Sequence, residues 1–377
     1  MRIGFNGQRL AGQRFGVGRY IQYMLMHWAE AMPPQDKLTL FLRQALPDGP
    51  DEFGPRVKSA LLEYKGSGIP WENMFLRRSA ADQDVLFCPA YTAPLYYRKP
   101  LVVATHSVNE TEDSAHTFLY KQTYSRIYRH SAQIADRVIV PGQRTFDAVK
   151  EYYGVPEERI RIVHQGADDT FRPFDDPKEG DATRRRFFKD GRPYVLFAGG
   201  ASERRNIPML IAAFADLKAK GFPHGLVLFG PYKSSTPLSE LCASLGVTDD
   251  VYQTDGVLEK HSDIVPVYAS ADVFVHPSEN EGWSMTTTEA MACGVPVIAS
   301  RRGGLGEVAD GYALMLDPPN KDCLVAALSS VLSDDGVKAE LSRRSRERGA
   351  QLRWGVLARQ TLDIVREVGA SHRRKVG

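Results

Sequence analysis

Short apolar, β-rich runs alternate along the chain with longer stretches of helical periodicity, a pattern that predicts parallel α/β layers. In the first half, strands are expected at Arg2–Asn6, Leu38–Leu42, Asp84–Phe87, Leu101–Thr105, Arg137–Val140 and Ile160–His164. Helices are expected between them, among others at Gly18–Glu30 and Thr117–Ala135. The pattern then restarts, with strands at Tyr194–Ala198, Gly225–Phe229, Val251–Gln253, Val273–His276, Pro296–Ser300 and Ala313–Leu316. Helices Met209–Lys220, Leu238–Leu245, Ile264–Ser270 and Thr287–Cys293 separate this second set. Asp168–Arg192, rich in Asp, Pro, Arg and Gly, shows no clear strand and reads as the linker.

Two doubly wound, Rossmann-like domains are therefore expected, at 1–172 and 173–354, facing an interdomain cleft. A last helix, roughly Trp354–Val368 (about 355–370 in its packed part), would pack back on the first domain. It ends in the basic run His372-Arg373-Arg374-Lys375, read as a solvated end. In such sheets ligands sit beyond the carboxyl ends of the strands, so the chemistry is sought in the loops that follow them.

Composition narrows the class. The 377 residues are 43% hydrophobic and 25% charged, and 48 Lys+Arg against 46 Asp+Glu give a formal charge of +2. That near balance argues against a general nucleic-acid binder. Cys88, Cys242, Cys293 and Cys323 are far apart, without the spacing of a zinc site or a disulfide framework. Met1-Arg2-Ile3-Gly4-Phe5 enters a strand without a signal-peptide core, and no apolar run reaches the ~18–20 residues of a membrane span. The expectation is a soluble, cytoplasmic protein.

The richest segment is Ser278–Ala290, which follows the strand Val273–His276. Glu281 falls on its loop, and Glu289 in the first turn of a helix expected to start near Thr287. The amides of Ser284, Met285 and Thr286 would face outward as an anion site. Carboxylates flanking a phosphate site suit a ligand with hydroxyls at both ends. The competing structural reading of Thr286-Thr287-Thr288-Glu289 is a capping box in which Glu289 serves the backbone, and spacing favours it.

A second cluster, Gly199–Asn206, carries Arg204 and Arg205 between a strand and a helix, where they could clamp a diphosphate or stand solvated. The third, Gly12–Tyr20, is glycine-rich ahead of a helix but lacks the dinucleotide fingerprint. His106 follows the strand Leu101–Thr105. Trp71, Tyr91, Tyr96 and Tyr97 could floor a sugar, although core packing is the commoner use. Tyr120, Tyr124 and Tyr128, interleaved with Lys121, Arg126 and Arg129, form either a membrane-facing stripe or, more commonly, a core stripe.

Together these pieces resemble glycosyltransferase family four, whose members have the GT-B fold and are retaining, nucleotide-sugar-dependent enzymes. The resemblance runs through Gly16-Val17-Gly18-Arg19-Tyr20, Ala135–Val140, Tyr153–Ile160 and Glu203-Arg204-Arg205-Asn206. It continues through Ala271–Ser278 and the Glu281–Glu289 pair, trailed by Ala-Met-Ala-Cys-Gly-Val-Pro-Val.

The resemblance implies that Glu281 binds donor-sugar hydroxyls on the reacting face and Glu289 the ribose, a role that outweighs the capping reading. Amides of Ser284 and Met285, with Thr286 beside them, would hold sugar and phosphate. Arg204 and Arg205 would stabilise the departing diphosphate, and Gly16 and Gly18 would approach it from across the cleft. His106 matches a histidine near the transferred sugar. Val257 and Leu258 would meet the base through their backbone.

The implied reaction moves a hexose-type sugar, with retention, from a GDP- or UDP-linked donor to a hydroxyl of a glycan or lipid-linked acceptor. The N-terminal domain would bind acceptor and the C-terminal domain donor, with no cofactor and no metal required. Polysaccharide or glycoconjugate assembly is the implied setting, with peripheral contact at the inner face of the cell membrane. Competing readings are a nucleotide-sugar epimerase and a non-catalytic sugar-nucleotide binding module. Trp283-Ser284-Met285-Thr286 departs from the family's Phe-Gly-Leu-Pro, Ser107 from a frequent Asp, and Gly200 from a frequent Arg.

Overall fold

A computed structural model describes residues 1–12, 14–108, 118–176, 178–200, 203–231, 237–255, 258 and 260–376, excepting the side chains of 118–122 and 372–376. The chain forms two compact units, Met1–Gln165 with Trp354–Gly377, and Gly166–Arg353.

The first unit is built on a seven-stranded sheet ordered β3-β2-β1-β4-β5-β6-β7. Its strands are β1 (Arg2–Asn6), β2 (Lys37–Leu42), β3 (Val57–Leu61), β4 (Val85–Cys88), β5 (Leu101–Ala104), β6 (Arg137–Val140) and β7 (Ile160–Ile162). All pairings are parallel, with Ile3 opposite both Leu38 and Val85. Parallel strands covered on both faces read as continuous apolar runs, and the central strands β4 and β5 are buried throughout. Strand β3 shows no such run because it lies at the sheet edge with only Val57 buried. The pattern along the chain therefore misses it.

The second unit has a six-stranded parallel sheet ordered β10-β9-β8-β11-β12-β13. Its strands are β8 (Tyr194–Ala198), β9 (Gly225–Phe229), β10 (Val251–Thr254), β11 (Val273–His276), β12 (Val297–Ser300) and β13 (Leu314–Leu316). Phe197, Phe214, Leu226, Val275, Ile298 and Leu328 belong to its core. Helices Lys321–Ser333 and Asp335–Gln351 complete this unit and were not among the expected ones.

The closing helix, Trp354–Val376, packs on helix Val17–Ala31. The Trp28 indole donates to the Ala358 carbonyl at 2.8 Å, and Tyr23 stacks on Trp354 at 5.7 Å. The division between the units falls after Gln165 rather than at 172/173. Ala167 donates to the Leu352 carbonyl at 2.9 Å, Arg353 holds the carbonyls of Asp168 and Phe171, and Phe171 is buried against His261 and Tyr268. The expected linker is likewise ordered in part, as helix Glu179–Phe187 of the second unit.

Candidate functional site

Sheet order reverses direction between β8 and β11, the kind of switch point beyond whose carboxyl ends ligands bind. The loop after β8 carries Gly199–Asn206 and the loop after β11 carries Pro277–Ser284, so the fold brings the two richest motifs together. Their backbones are joined directly. Glu279 N–H donates to Arg204 O at 2.8 Å, and Asn206, in the left-handed region at φ 52°, donates from its amide to Pro277 O at 3.2 Å.

Glu281 is the centre of this joint and is 6% exposed. Arg205 Nε donates to its Oε1 at 3.0 Å, and Arg204 Nη1 lies 2.8 Å from its Oε2. Ser278 Oγ donates to Oε1 at 3.3 Å. Burial alone would push the carboxyl up, but the Arg205 guanidinium, the nearby His276 ring and the Arg204 guanidinium outweigh it and hold it well below the usual range. Two guanidiniums against one carboxylate leave a net positive charge, the sign a diphosphate needs.

The two glycine positions that matter here are matters of space. At Gly199 (φ 132°) a Cβ would lie 2.4 Å from Arg205 Nη1. At Gly303 (φ 61°) it would lie 2.6 Å from the Glu281 carbonyl, which also accepts from Gly304 N–H. Side chains at either position would displace the arginine or the carboxylate loop.

His276, unmarked among the expected site residues, fills the floor. It is 1% exposed, with Nε2 3.5 Å from Glu281 Oε1 and Nδ1 3.0 Å from both Ser284 Oγ and Thr287 Oγ1. Burial holds its pKa below the ordinary value, against the pull of Glu281, so the ring is neutral. Nδ1 takes a hydroxyl proton and Nε2–H faces the carboxylate, the one tautomer without lone-pair repulsion on that side. The departure at Ser284 is thereby explained: its hydroxyl connects the histidine to the helix start. A polar residue closing an otherwise apolar buried strand beside a motif loop was the available signal.

Helix Met285–Ala292 starts earlier than the expected Thr287, with Ser284 as N-cap accepting from Thr287 N–H at 3.2 Å. The capping-box reading of Glu289 is corrected accordingly. Glu289 sits in the second turn, 1% exposed, accepting from Tyr268 OH at 2.9 Å and lying 3.5 Å from His261 Nε2. The amides of Met285 and Thr286 are among the first N–H groups of the helix and have no intrahelical partner.

Leu258 is partly buried, and Val257 lies outside the described residues. In the first unit, Gly16 (φ 44°) precedes helix Val17–Ala31. Gly18, in the first turn of that helix, is packed against the loop before it, where a Cβ would meet Arg14 and the Arg9 carbonyl at 3.3 Å. His106 is buried with both nitrogens engaged, Nε2 to Pro89 O at 2.7 Å and Nδ1 to the Gln165 amide at 2.8 Å. Burial pushes its pKa down to about 4.

Trp71 is fully buried and donates to Leu62 O, and Tyr97 is buried and donates to Ala80 O, so both are core rather than sugar floor. Tyr96 is 72% exposed. Tyr128 is buried, stacked on Tyr91 and beside Tyr124, which settles the stripe at these positions as core; the Tyr120 side chain lies outside the described ones. Among the described residues no helix is long and apolar enough to cross a membrane.

Comparison with known proteins places this geometry. The profile described as "Glycosyl transferases group 1" matches residues 180–351, and that described as "Glycosyltransferase Family 4" matches residues 16–171. The D-inositol 3-phosphate glycosyltransferase of Xylanimonas cellulosilytica is 29% identical over 61% of this chain and 56% of its own length. The MMP alpha-(1->4)-mannosyltransferase of Mycolicibacterium hassiacum is 24% identical over 91% of this chain and 78% of its own. The chain thus matches little more than half the length of the first of these relatives. Sucrose-phosphate synthase from Thermosynechococcus elongatus shares the fold, with TM-score 0.80 at 21% identity over 98% of this chain and 99% of that one. So does Anabaena Alr3699/HepE in complex with UDP-glucose, with TM-score 0.78 at 17% identity over 97% and 100%. Profiles spanning nearly the whole chain, the double Rossmann-like architecture and the joined Arg–Glu loops agree, and the chain belongs to glycosyltransferase family four, with the GT-B fold.

Proposed function

We propose that the chain is a retaining glycosyltransferase that moves a hexose-type sugar from a nucleoside-diphosphate sugar, UDP- or GDP-linked, to a hydroxyl of a glycan or lipid-linked acceptor. The observation that carries this reading is Glu281 held between Arg204 and Arg205 beside the start of helix Met285–Ala292. An anion at the helix amides would have both guanidiniums at hand, and charge developing on a departing diphosphate would be stabilised by groups already in place. Glu281 would meet sugar hydroxyls and Glu289 the ribose. Retention would follow from attack on the face the diphosphate leaves, a phosphate oxygen taking the acceptor's proton. No step requires a metal. The first unit would bind the acceptor, with His106 offering backbone and ring edge rather than a titrating nitrogen. Glycoconjugate assembly at the inner face of the cell membrane is the proposed setting. The relatives named for sugar transfer and the fold neighbour solved with UDP-glucose support the transfer reading and the nucleotide-linked donor.

Incubating the protein with UDP-glucose and GDP-mannose, with and without EDTA, tests this by NMR of the products. Transfer or slow hydrolysis that keeps the anomeric configuration and survives EDTA is expected. Epimerised donor would identify an epimerase instead. Donor binding without any consumption would identify a binding module.

A further inference from the structure

The first sheet has its own switch point, between β1 and β4. Beyond the ends of those two strands lies a buried polar cluster that the donor site does not use. Its centre is Glu72, 1% exposed, at the start of the π-helical turn Glu72–Leu76. Such turns are rare and often sit at functional positions. Oε1 accepts from Asn6 Nδ2 at 2.7 Å, Gln8 Nε2 at 2.7 Å and Thr92 Oγ1 at 2.8 Å. Gln8 also donates to Thr92 Oγ1 at 3.1 Å, and a Cβ on Gly68 would lie 2.1 Å from Gln8 Oε1. Oε2, equally buried, has no partner among the described residues. A carboxyl kept for packing alone would have both oxygens satisfied or be replaced by an amide.

We propose that Glu72 is a positioning residue that clamps the segment after β1, through Asn6 and Gln8, to the segment after β4, through Thr92, and so sets the walls against which the acceptor of the proposed transferase rests. Only the acceptor's place rests on the transferase reading; the clamp is a property of the first unit. Burial pushes the carboxyl up to about 7, against hydrogen bonds from Thr92 and Asn6, the charge of Arg9 and the Gln8 amide. The charged and titratable groups facing it are Arg9 and the Cys88 thiol, itself held well up by burial and by Glu72. Opening the clamp to water returns Glu72 to its ordinary range. The closed form therefore binds the proton more tightly, and the clamp weakens as pH rises from about 5 to 7.

Amide hydrogen exchange on the full chain, corrected for intrinsic rates, reads this directly without any substrate. In the wild type, protection of residues 7–12 and 89–97 is expected to fall at least about tenfold between pH 5 and 7.5. Glu72→Gln, which mimics the protonated acid, is expected to keep the protection and lose the pH step. Glu72→Ala is expected to lose protection in those segments at every pH while the rest of the first unit keeps its own. A pH step that persists in Glu72→Gln, or a uniform loss across the unit in Glu72→Ala, overturns the clamp. Either result stands whether or not the chain proves to transfer a sugar.

Discussion

Two buried carboxyls show how environment assigns opposite duties to one side chain. Glu281, ringed by guanidiniums, has its pKa depressed. Its stabilising contribution is present above the ordinary carboxylate range and drains away as pH falls below it. Glu72, ringed by amides and a hydroxyl, has its pKa raised, so its contribution is full below about 4.5 and lost as pH rises through 7. Glu281 is in direct contact with two guanidiniums that a ligand could share, whereas Arg9 acts on Glu72 through its charge alone. Arg204 and Arg205 remain 28% and 17% exposed, so they can exchange Glu281 contacts for phosphate oxygens without a deep desolvation step. Arg205→Ala is accordingly expected to weaken UDP by about 1.5–3 kcal/mol, the range of hydrogen bonds to charged groups, and uridine hardly at all. Calorimetry with both ligands decides; equal losses would take Arg205 off the phosphates. Glu281, Arg204 and Arg205 were legible from residue types and the family pattern. Glu72 was not, because its partners come from two distant segments, Asn6 and Gln8 after β1 and Thr92 after β4.

At the scale of elements, helix Met285–Ala292 depends on its first residue pair. Ser284 caps Thr287 N–H and supplies a hydroxyl to the buried ring of His276. Ser284→Ala removes both, which predicts a loss of about 0.5–2 kcal/mol, chiefly that of the cap, since Thr287 Oγ1 remains 3.0 Å from the ring nitrogen. Thermal melts should show a fall of about 2–4 °C per kcal/mol. An unchanged melt would mean that water replaces the hydroxyl at no cost, contrary to its burial. The sequence places the helix start near Thr287 and offers Thr286-Thr287-Thr288-Glu289 as a capping box by its spacing. What decided against that box was Tyr268 and His261, which draw Glu289 away from the backbone.

At the scale of the molecule, each unit has its own parallel sheet and core. Scanning calorimetry should therefore resolve two transitions. UDP at 100 times its dissociation constant adds roughly 2.7 kcal/mol to whatever it binds, and only the transition of residues 166–353 should rise. A single transition, or an equal rise in both, would show that the units do not unfold independently. The closing helix Trp354–Val376 should follow the other transition, since Trp28 and Tyr23 hold it to the first unit.

The sequence by itself determined the alternation of strands and helices, the restart after the first set, and the pairing of an Arg-Arg-Asn loop with a Glu-x7-Glu loop. Those are local matters: periodicity reports which faces are buried, and a motif keeps its chemistry within a few residues. The tertiary structure alone decided the edge strand β3, whose exposure erases its apolar pattern. It also moved the division to Gln165, where Arg353 and Leu352 recapture the chain after 165. The neutral His276 under Glu281 and the clamp at Glu72 belong to it as well. Each needs groups brought together from distant segments into a space that water does not enter, and burial of that kind leaves no trace in spacing.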